Sequence, residues 1–231
     1  MTRWLLKTVA ADGGAYGDFV WPLEVGAEVV ALDWSDEPTC GGGLHGLLDG
    51  RGDGSLLDWA PDAVWLVAEV PADARLVDLD RKVKVDRCVV AHVGDQVSAT
   101  EFLAAQGVTD GVVGAHVTVG DGGSATAGYR GTATAGDYGT ATAGYSGTAT
   151  AGHNGTATAG YRGTATAGYR GTATAGDCGT ATAGDSGTVI LAWWDDTLCR
   201  RRWVIGEVGI DGIKADTPYC CDAGRLEEAQ S

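Results

Sequence analysis

The sequence predicts a mainly β protein: an N-terminal α+β domain (residues 1–114), a short β-solenoid of about five 16-residue coils (115–194) and a small β C-terminal cap (195–231). Three observations predict it. An octapeptide repeats without a gap from Gly123 to Ser186, reading GSATAGYR, GTATAGDY, GTATAGYS, GTATAGHN, GTATAGYR, GTATAGYR, GTATAGDC and GTATAGDS. A fixed short period means stacked copies of one unit rather than a mixed core. Within the unit, Thr and Ala alternate with the period of a strand. All eight tryptophans lie outside the eight perfect copies, so larger cores are expected only on the flanks.

Numbered from one to eight, the unit is G-T-A-T-A-G-Y-R. Thr at two and four and Ala at three and five form a short strand. Gly at six and one brackets a variable pair, and Gly-x-x-Gly reads as a turn in which glycine supplies the positive-φ positions. One octapeptide is too short to return under itself, whereas two give two strands and two corners. Coils of sixteen residues then pair in register, about 4.8 Å apart. The frame continues into Ala115–Gly122, with Val117 and Val119 at the Ala positions, and into Gly187–Trp194, with Val189 and Leu191 there. Five coils span only about 24 Å. Larger apolar residues at positions three and five of the end units place those positions inside and the threonines outside, with Ile190 as the exception.

The same spacing aligns the corners. One column is Tyr129, Tyr145, Tyr161, Asp177 and Trp193; the other is Asp121, Asp137, His153, Tyr169 and Asp185. Three tyrosines in a file are expected to stack; stacked exposed rings suit self-association, or equally serve only to stiffen the corner.

The repeat resembles that of bacterial ice nucleation proteins, through Ala127-Gly128-Tyr129 followed by Gly131-Thr132-Ala133-Thr134-Ala135. That family's octapeptides pair into 16-residue β-solenoid coils. The resemblance implies a non-enzymatic protein whose outward threonines organise water or bind ice: Thr132, Thr134, Thr140, Thr142, Thr148, Thr150, Thr156, Thr158, Thr164, Thr166, Thr172 and Thr174. It also implies a homodimer paired through Tyr129, Tyr145 and Tyr161. The likeness covers about a third of the chain. The family carries dozens of coils and a membrane-associated N-terminal domain that has no evident counterpart here. An array this short suits ice adsorption or weak nucleation rather than nucleation at mild supercooling.

The N-terminal segment has a different composition. Trp4, Trp21, Trp34, Trp59 and Trp65 supply a core, and Glu28–Leu32, Ala63–Val70, Val83–Val85 and Cys88–Val93 read as strands. Ser98–Gln106 reads as a helix capped by Ser98, with Glu101 completing a capping box and Gly107 ending it. Cys40-Gly41-Gly42-Gly43-Leu44-His45-Gly46 is its most suggestive stretch. Cys and His five apart could be a nucleophile–base pair or half of a metal site; no further ligands are visible, and a tight glycine loop with His45 as a satisfied polar group is the favoured reading. A Gly-Leu-His segment of this kind also resembles small domains that precede such repeats in bacterial and phage proteins, a likeness that carries no activity. His92 and His116 fall in strand patterns, and His153 at a corner is expected to be exposed.

Beyond the repeat, Cys199–Val208 and the stretch around Asp211-Gly212-Ile213 read as two or more strands with a turn, covering the last coil, and 222–231 as a frayed tail. A net charge of −15 disfavours nucleic acid and anionic membranes as partners. Arg200-Arg201-Arg202, beside Asp195 and Asp196, reads as a solvated strand face. No apolar stretch is long enough for a signal peptide or a membrane span, which points to a cytoplasmic protein with its six cysteines reduced. No cofactor or metal is expected. Two other functions remain open: a structural or assembly scaffold, bacterial or phage, without ice activity; and an enzymatic N-terminal domain on a repeat stalk.

Overall fold

A computed structural model describes residues 2–16 and 19–230. It divides into two compact units, Met1–Val113 and Gly114–Ser231.

The first unit holds seven strands and a helix: β1 (Arg3–Val9), β2 (Glu28–Val30), β3 (Leu44–Leu48), β4 (Val64–Val70), β5 (Leu76–Asp78), β6 (Val83–Val85), β7 (Arg87–Gly94) and α1 (Gln96–Ala105). They form one antiparallel sheet in the order β2-β7-β4-β1-β3-β6-β5. The central strand β1 is apolar on both faces, so it lacks the alternation that marks a half-buried strand. Leu5 and Val9 pack with Leu66, Ala68 and Trp21, while Trp4 meets Phe102 of α1 edge to face at 5.4 Å. The helix starts two residues before its expected position. Asp95, not Ser98, is the N-cap: its carboxylate accepts from the Ser98 amide at 2.8 Å, and the Ser98 hydroxyl accepts from the Asp95 amide at 3.1 Å. Glu101 therefore plays no part in the capping box. Gly107, at φ +84°, ends the helix as expected.

The second unit opens with ten strands, one per octapeptide: β8 (His116–Val119), β9 (Ser124–Ala127), β10 (Thr132–Ala135), β11 (Thr140–Ala143), β12 (Thr148–Ala151), β13 (Thr156–Ala159), β14 (Thr164–Ala167), β15 (Thr172–Ala175), β16 (Thr180–Ala183) and β17 (Thr188–Asp195). Alternate strands pair in parallel, each residue with the one sixteen further on, as in Thr132↔Thr148 and Ala141↔Ala157. The result is a β-solenoid of 16-residue coils with two sheets. Its interior is alanine: Ala133, Ala141, Ala149, Ala157, Ala165 and Ala173 are fully buried, and Val189 and Leu191 close the same core.

The corners differ from expectation. The repeat glycines do not supply the left-handed positions. Those fall on position eight, where Arg130, Tyr138, Ser146, Asn154, Arg162, Arg170, Cys178 and Ser186 all have φ between +52° and +58°. The turn is closed by bonds such as Gly131 N–H to Gly128 C=O at 3.1 Å, and a left-handed third residue is what a type II turn demands. The glycines are there for space. A Cβ on Gly147 would lie 2.8 Å from the Ala143 Cβ and 2.9 Å from the Gly131 carbonyl oxygen; one on Gly144 would lie 2.8 Å from the Gly128 carbonyl carbon.

Three strands cap the C-terminal end. β18 (Arg200–Glu207) pairs antiparallel with β17; β19 (Tyr219–Asp222) pairs with β16 at Ala181↔Tyr219; β20 (Arg225–Glu228) pairs with β19. The stretch around Asp211–Ile213 forms the turn that follows β18, with Gly209 N–H bonded to the Ile213 carbonyl at 2.9 Å. Four residues of the tail expected to fray, Arg225–Glu228, are held as β20, with Leu226 against the alanine core. Replacing Gly147 by Ala is expected to lower stability by roughly 1–3 kcal/mol through overpacking. Ser146→Gly, two atoms smaller at a left-handed site, is expected to raise it by about 0.5–1 kcal/mol. Urea midpoints of the two variants measure both.

Candidate functional site

Each sheet carries two files of threonine. On one, Thr132, Thr148 and Thr164 lie in register, as do Thr134, Thr150 and Thr166. On the other, Thr140 and Thr156 lead to Thr172, and Thr142 and Thr158 to Thr174. Thr140, Thr148, Thr156 and Thr164 are exposed and the other eight half-buried, while the alanines between them are buried. Strand geometry alone sets the spacing, about 4.8 Å between coils and about 6.8 Å along a strand. Among the described residues, none of these hydroxyls hydrogen-bonds to the chain. Each is left to bond water, beside a methyl group that cannot.

The corner columns form two edges. On one, Tyr129 and Tyr145 stack at 5.1 Å with 6° between the rings, and Tyr145 and Tyr161 at 5.2 Å and 26°. The coil rise sets these separations. On the other, His153 stacks on Tyr169 at 5.0 Å, so it is half-buried rather than exposed. Asp121 and Asp137 there accept the main-chain N–H sixteen residues on, at 2.9 and 2.7 Å. Arginines at position eight lie over the tyrosine before them, 5.5 Å for Arg162 on Tyr161 and 5.3 Å for Arg170 on Tyr169. Arg201 and Arg202 in the basic run pair with Asp177 and Asp195, and all three arginines are exposed on β18.

In the first unit, Cys40 and His45 line one cavity of about 540 Å³, and no hydrogen bond joins them among the described residues. Cys40 is exposed. Burial, then the charges of Lys82, Lys7 and Lys84, holds the His45 imidazole at a pKa of about 4. Cys40 and His45 thus share a cavity without the hydrogen bond that marks a nucleophile–base pair. His45 also sits on strand β3 rather than in a glycine loop, with the loop confined to Gly41–Gly43. His92 bonds the Ser98 hydroxyl at 3.1 Å and stacks on Phe102. No group of His, Cys, Asp and Glu able to hold a metal ion occurs among the described residues.

The second unit is thus a short parallel β-solenoid with Thr-x-Thr on both sheets and aromatic stacking at its corners. The known proteins it is similar to are ice nucleation proteins. Ice nucleation protein InaU of Pantoea ananas is 35% identical over 100 residues, 43% of this chain and 10% of that protein. An ice nucleation protein of Pseudomonas syringae is 35% identical over 104 residues, 44% of this chain and 9% of that protein. One from Enterobacter agglomerans matches at 35% over 100 residues, 43% and 8%. The chain therefore spans about a tenth of the length of the curated relatives it matches. No family model and no solved structure matches it.

The depressed His45 pKa has a measurable consequence. Between pH 4 and 6.5 the unfolded histidine binds more protons than the folded one, so this residue makes stability rise with pH there. His45→Gln is expected to flatten the dependence of the urea midpoint on pH across that window and leave it unchanged above pH 7.

Proposed function

We propose that the solenoid is a non-enzymatic water-organising surface that adsorbs to ice, and that two chains associate side by side through the Tyr129, Tyr145 and Tyr161 edge. The observation that carries the reading is the set of threonine hydroxyls in register with no partner in the chain. Water bonded to them is held at the repeat of the backbone itself, since in-register stacking sets each threonine above its own copy. The buried alanines support this by keeping the sheets straight and the methyls at one height. The relatives, being ice nucleation proteins by name, agree with it.

Each sheet offers few coils, and a critical ice embryo at mild supercooling is larger than such a patch. Ice shaping, thermal hysteresis or freezing at deep supercooling is the expected behaviour. Pairing along the tyrosine edge widens the ordered area without adding coils. Rings 37–40% exposed at Tyr161 and Tyr145 leave area for it.

Thr132, Thr134, Thr148 and Thr150 replaced together by Lys are expected to abolish ice shaping while far-ultraviolet circular dichroism stays unchanged. A wild-type chain that neither shapes ice nor shifts droplet freezing overturns the proposal. Tyr129, Tyr145 and Tyr161 replaced by Ser are expected to weaken self-association in sedimentation velocity at least tenfold, with the threonine variant associating as the wild type does.

A further inference from the structure

The chain has four lysines, and three of them act on one histidine. Lys7 on β1, Lys82 just before β6 and Lys84 on β6 come from distant parts of the sequence, yet all three charges act on His45. In a chain of net charge −15, this concentration of positive charge calls for a reason. Lys84 has a structural one. It is fully buried, and its amine donates to the carbonyls of Thr39 and Gly41 at 3.1 Å each, which ties down the glycine loop.

Lys7 and Lys82 have no such role. Among the described residues, neither takes part in an ion pair. Lys7 is half-buried, and desolvation, with the charge of Lys82, lowers its pKa. Its amine lies 5.9 Å from the centre of the Trp21 ring. A buried ammonium without a counter-ion is costly unless something supplies the opposite charge. Lys7, Lys82 and His45 line the same cavity of about 540 Å³. His45 adds a buried Nε2 with no hydrogen-bond partner. A second cavity of about 280 Å³ also borders Lys7, His45 and Gly41, and its walls include Trp21, Phe19 and Leu32. Asp33 places a carboxylate on the wall of this second cavity and raises the His45 pKa, so a ligand's anionic group is favoured in the first cavity and its uncharged body in the second.

From this arrangement we propose that the first unit binds a small organic oxyanion, a phosphate ester or a carboxylate, with its charged group between Lys7 and Lys82 and a flat apolar body beside Trp21. The neutral His45 imidazole completes the site as a hydrogen-bonding group. Two ammonium groups and a roomy cavity suit either oxyanion, so the class is fixed by charge and the choice within it by size. The site is independent of the threonine faces, and its failure leaves the ice reading untouched.

The test uses the full chain with phenyl phosphate and benzoate as probes, benzyl alcohol as the neutral control, and sodium chloride at matched ionic strength. With only four histidines, ring proton–carbon spectra resolve each one. Phenyl phosphate, benzoate or both are expected to shift the His45 resonance saturably, leave His116 and His153 unmoved, and raise the His45 pKa above about 4. Binding of both probes marks a general oxyanion site, and binding of one alone selects the phosphate or the carboxylate. Lys7→Met and Lys82→Met are each expected to weaken binding at least tenfold, and Lys214→Met to leave it unchanged. Lys82 is half-buried, so its variant keeps the test open if Lys7→Met does not fold. Absence of a saturable His45 shift with either anion, equal shifts with benzyl alcohol, or undiminished binding in the folded lysine variants would overturn the proposal.

Discussion

The close approach of the main chain to itself, once per octapeptide, governs the second unit. At each corner, the sixth-position glycine lies against backbone sixteen residues earlier, as Gly144 does against Gly128 and Gly160 against Gly144. The first-position glycine presses on an alanine methyl and a carbonyl, as Gly163 does on Ala159 and on the Gly147 oxygen. No side chain fits either place. The interior is narrowed to the width of two alanine layers, and strict identity from coil to coil follows. Burial of methyl groups adds little area per residue, so the long backbone ladders and the larger residues at the end carry a greater share of stability. Val189, Leu191, Tyr219 and Leu226 are those residues.

Tight corners displace conformational strain onto position eight. A left-handed backbone at a residue with a Cβ carries about 1–2 kcal/mol of strain. Six of the eight such residues, Arg130 to Arg170, are held by a main-chain N–H bond to the next coil. The N–H of Arg130 bonds the Tyr145 carbonyl at 2.9 Å, and that of Ser146 bonds the Tyr161 carbonyl at 2.8 Å. Where the frame first begins, Gly114 and Gly122 occupy the same position with φ +73° and +69°. Side chains at position eight thus project from the edges at a conformational cost, and at Arg162 and Arg170 they cover a tyrosine face.

The parts legible in the sequence are those whose cause is local or strictly periodic. Alternating Thr and Ala declared the strands, and the sixteen-residue alignment of Tyr129, Tyr145 and Tyr161 declared the column. The role of the glycines was hidden because what each one meets lies sixteen residues away. Gly-x-x-Gly reads as a turn whether glycine serves torsion or space. The helix start was misplaced because Asp95 and Ser98 are both good caps three residues apart, and only their reciprocal bonds distinguish them. Strand β1 was missed because both of its faces are covered. The tail strand β20 exists only through pairing with β19, a contact no local pattern announces. The environment of His45 was invisible for the same reason: Lys7, Lys82 and Lys84 reach it through the antiparallel pairing of β1, β3 and β6.

The two threonine faces do not end alike, and this bears on how large an ordered layer one chain can hold. On the sheet that closes with β18, the position after Thr174 in its file is Ile190, which pairs with Ile205. Ile205 is 63% and the neighbouring Trp203 53% exposed. A hydroxyl file that meets an apolar rim stops there, because the next row offers water no fixed donor or acceptor. On the opposite sheet the file runs one coil further, through Thr166 to Thr182, before β19 crosses the end with a single paired position. The length of each hydroxyl file is therefore set by the number of unbroken coils. At the C-terminal end the antiparallel strands no longer continue the parallel register. The proposed association of two chains would run sideways, across a corner edge. Of the two edges, one presents Asp137, Asp185 and a strongly exposed Tyr138. The other presents three consecutive stacked rings, a flat surface with the same repeat as the threonine files beside it. The proposed pairing across that second edge would keep the threonine files of two chains in register, whereas pairing across the charged edge would set carboxylates against one another.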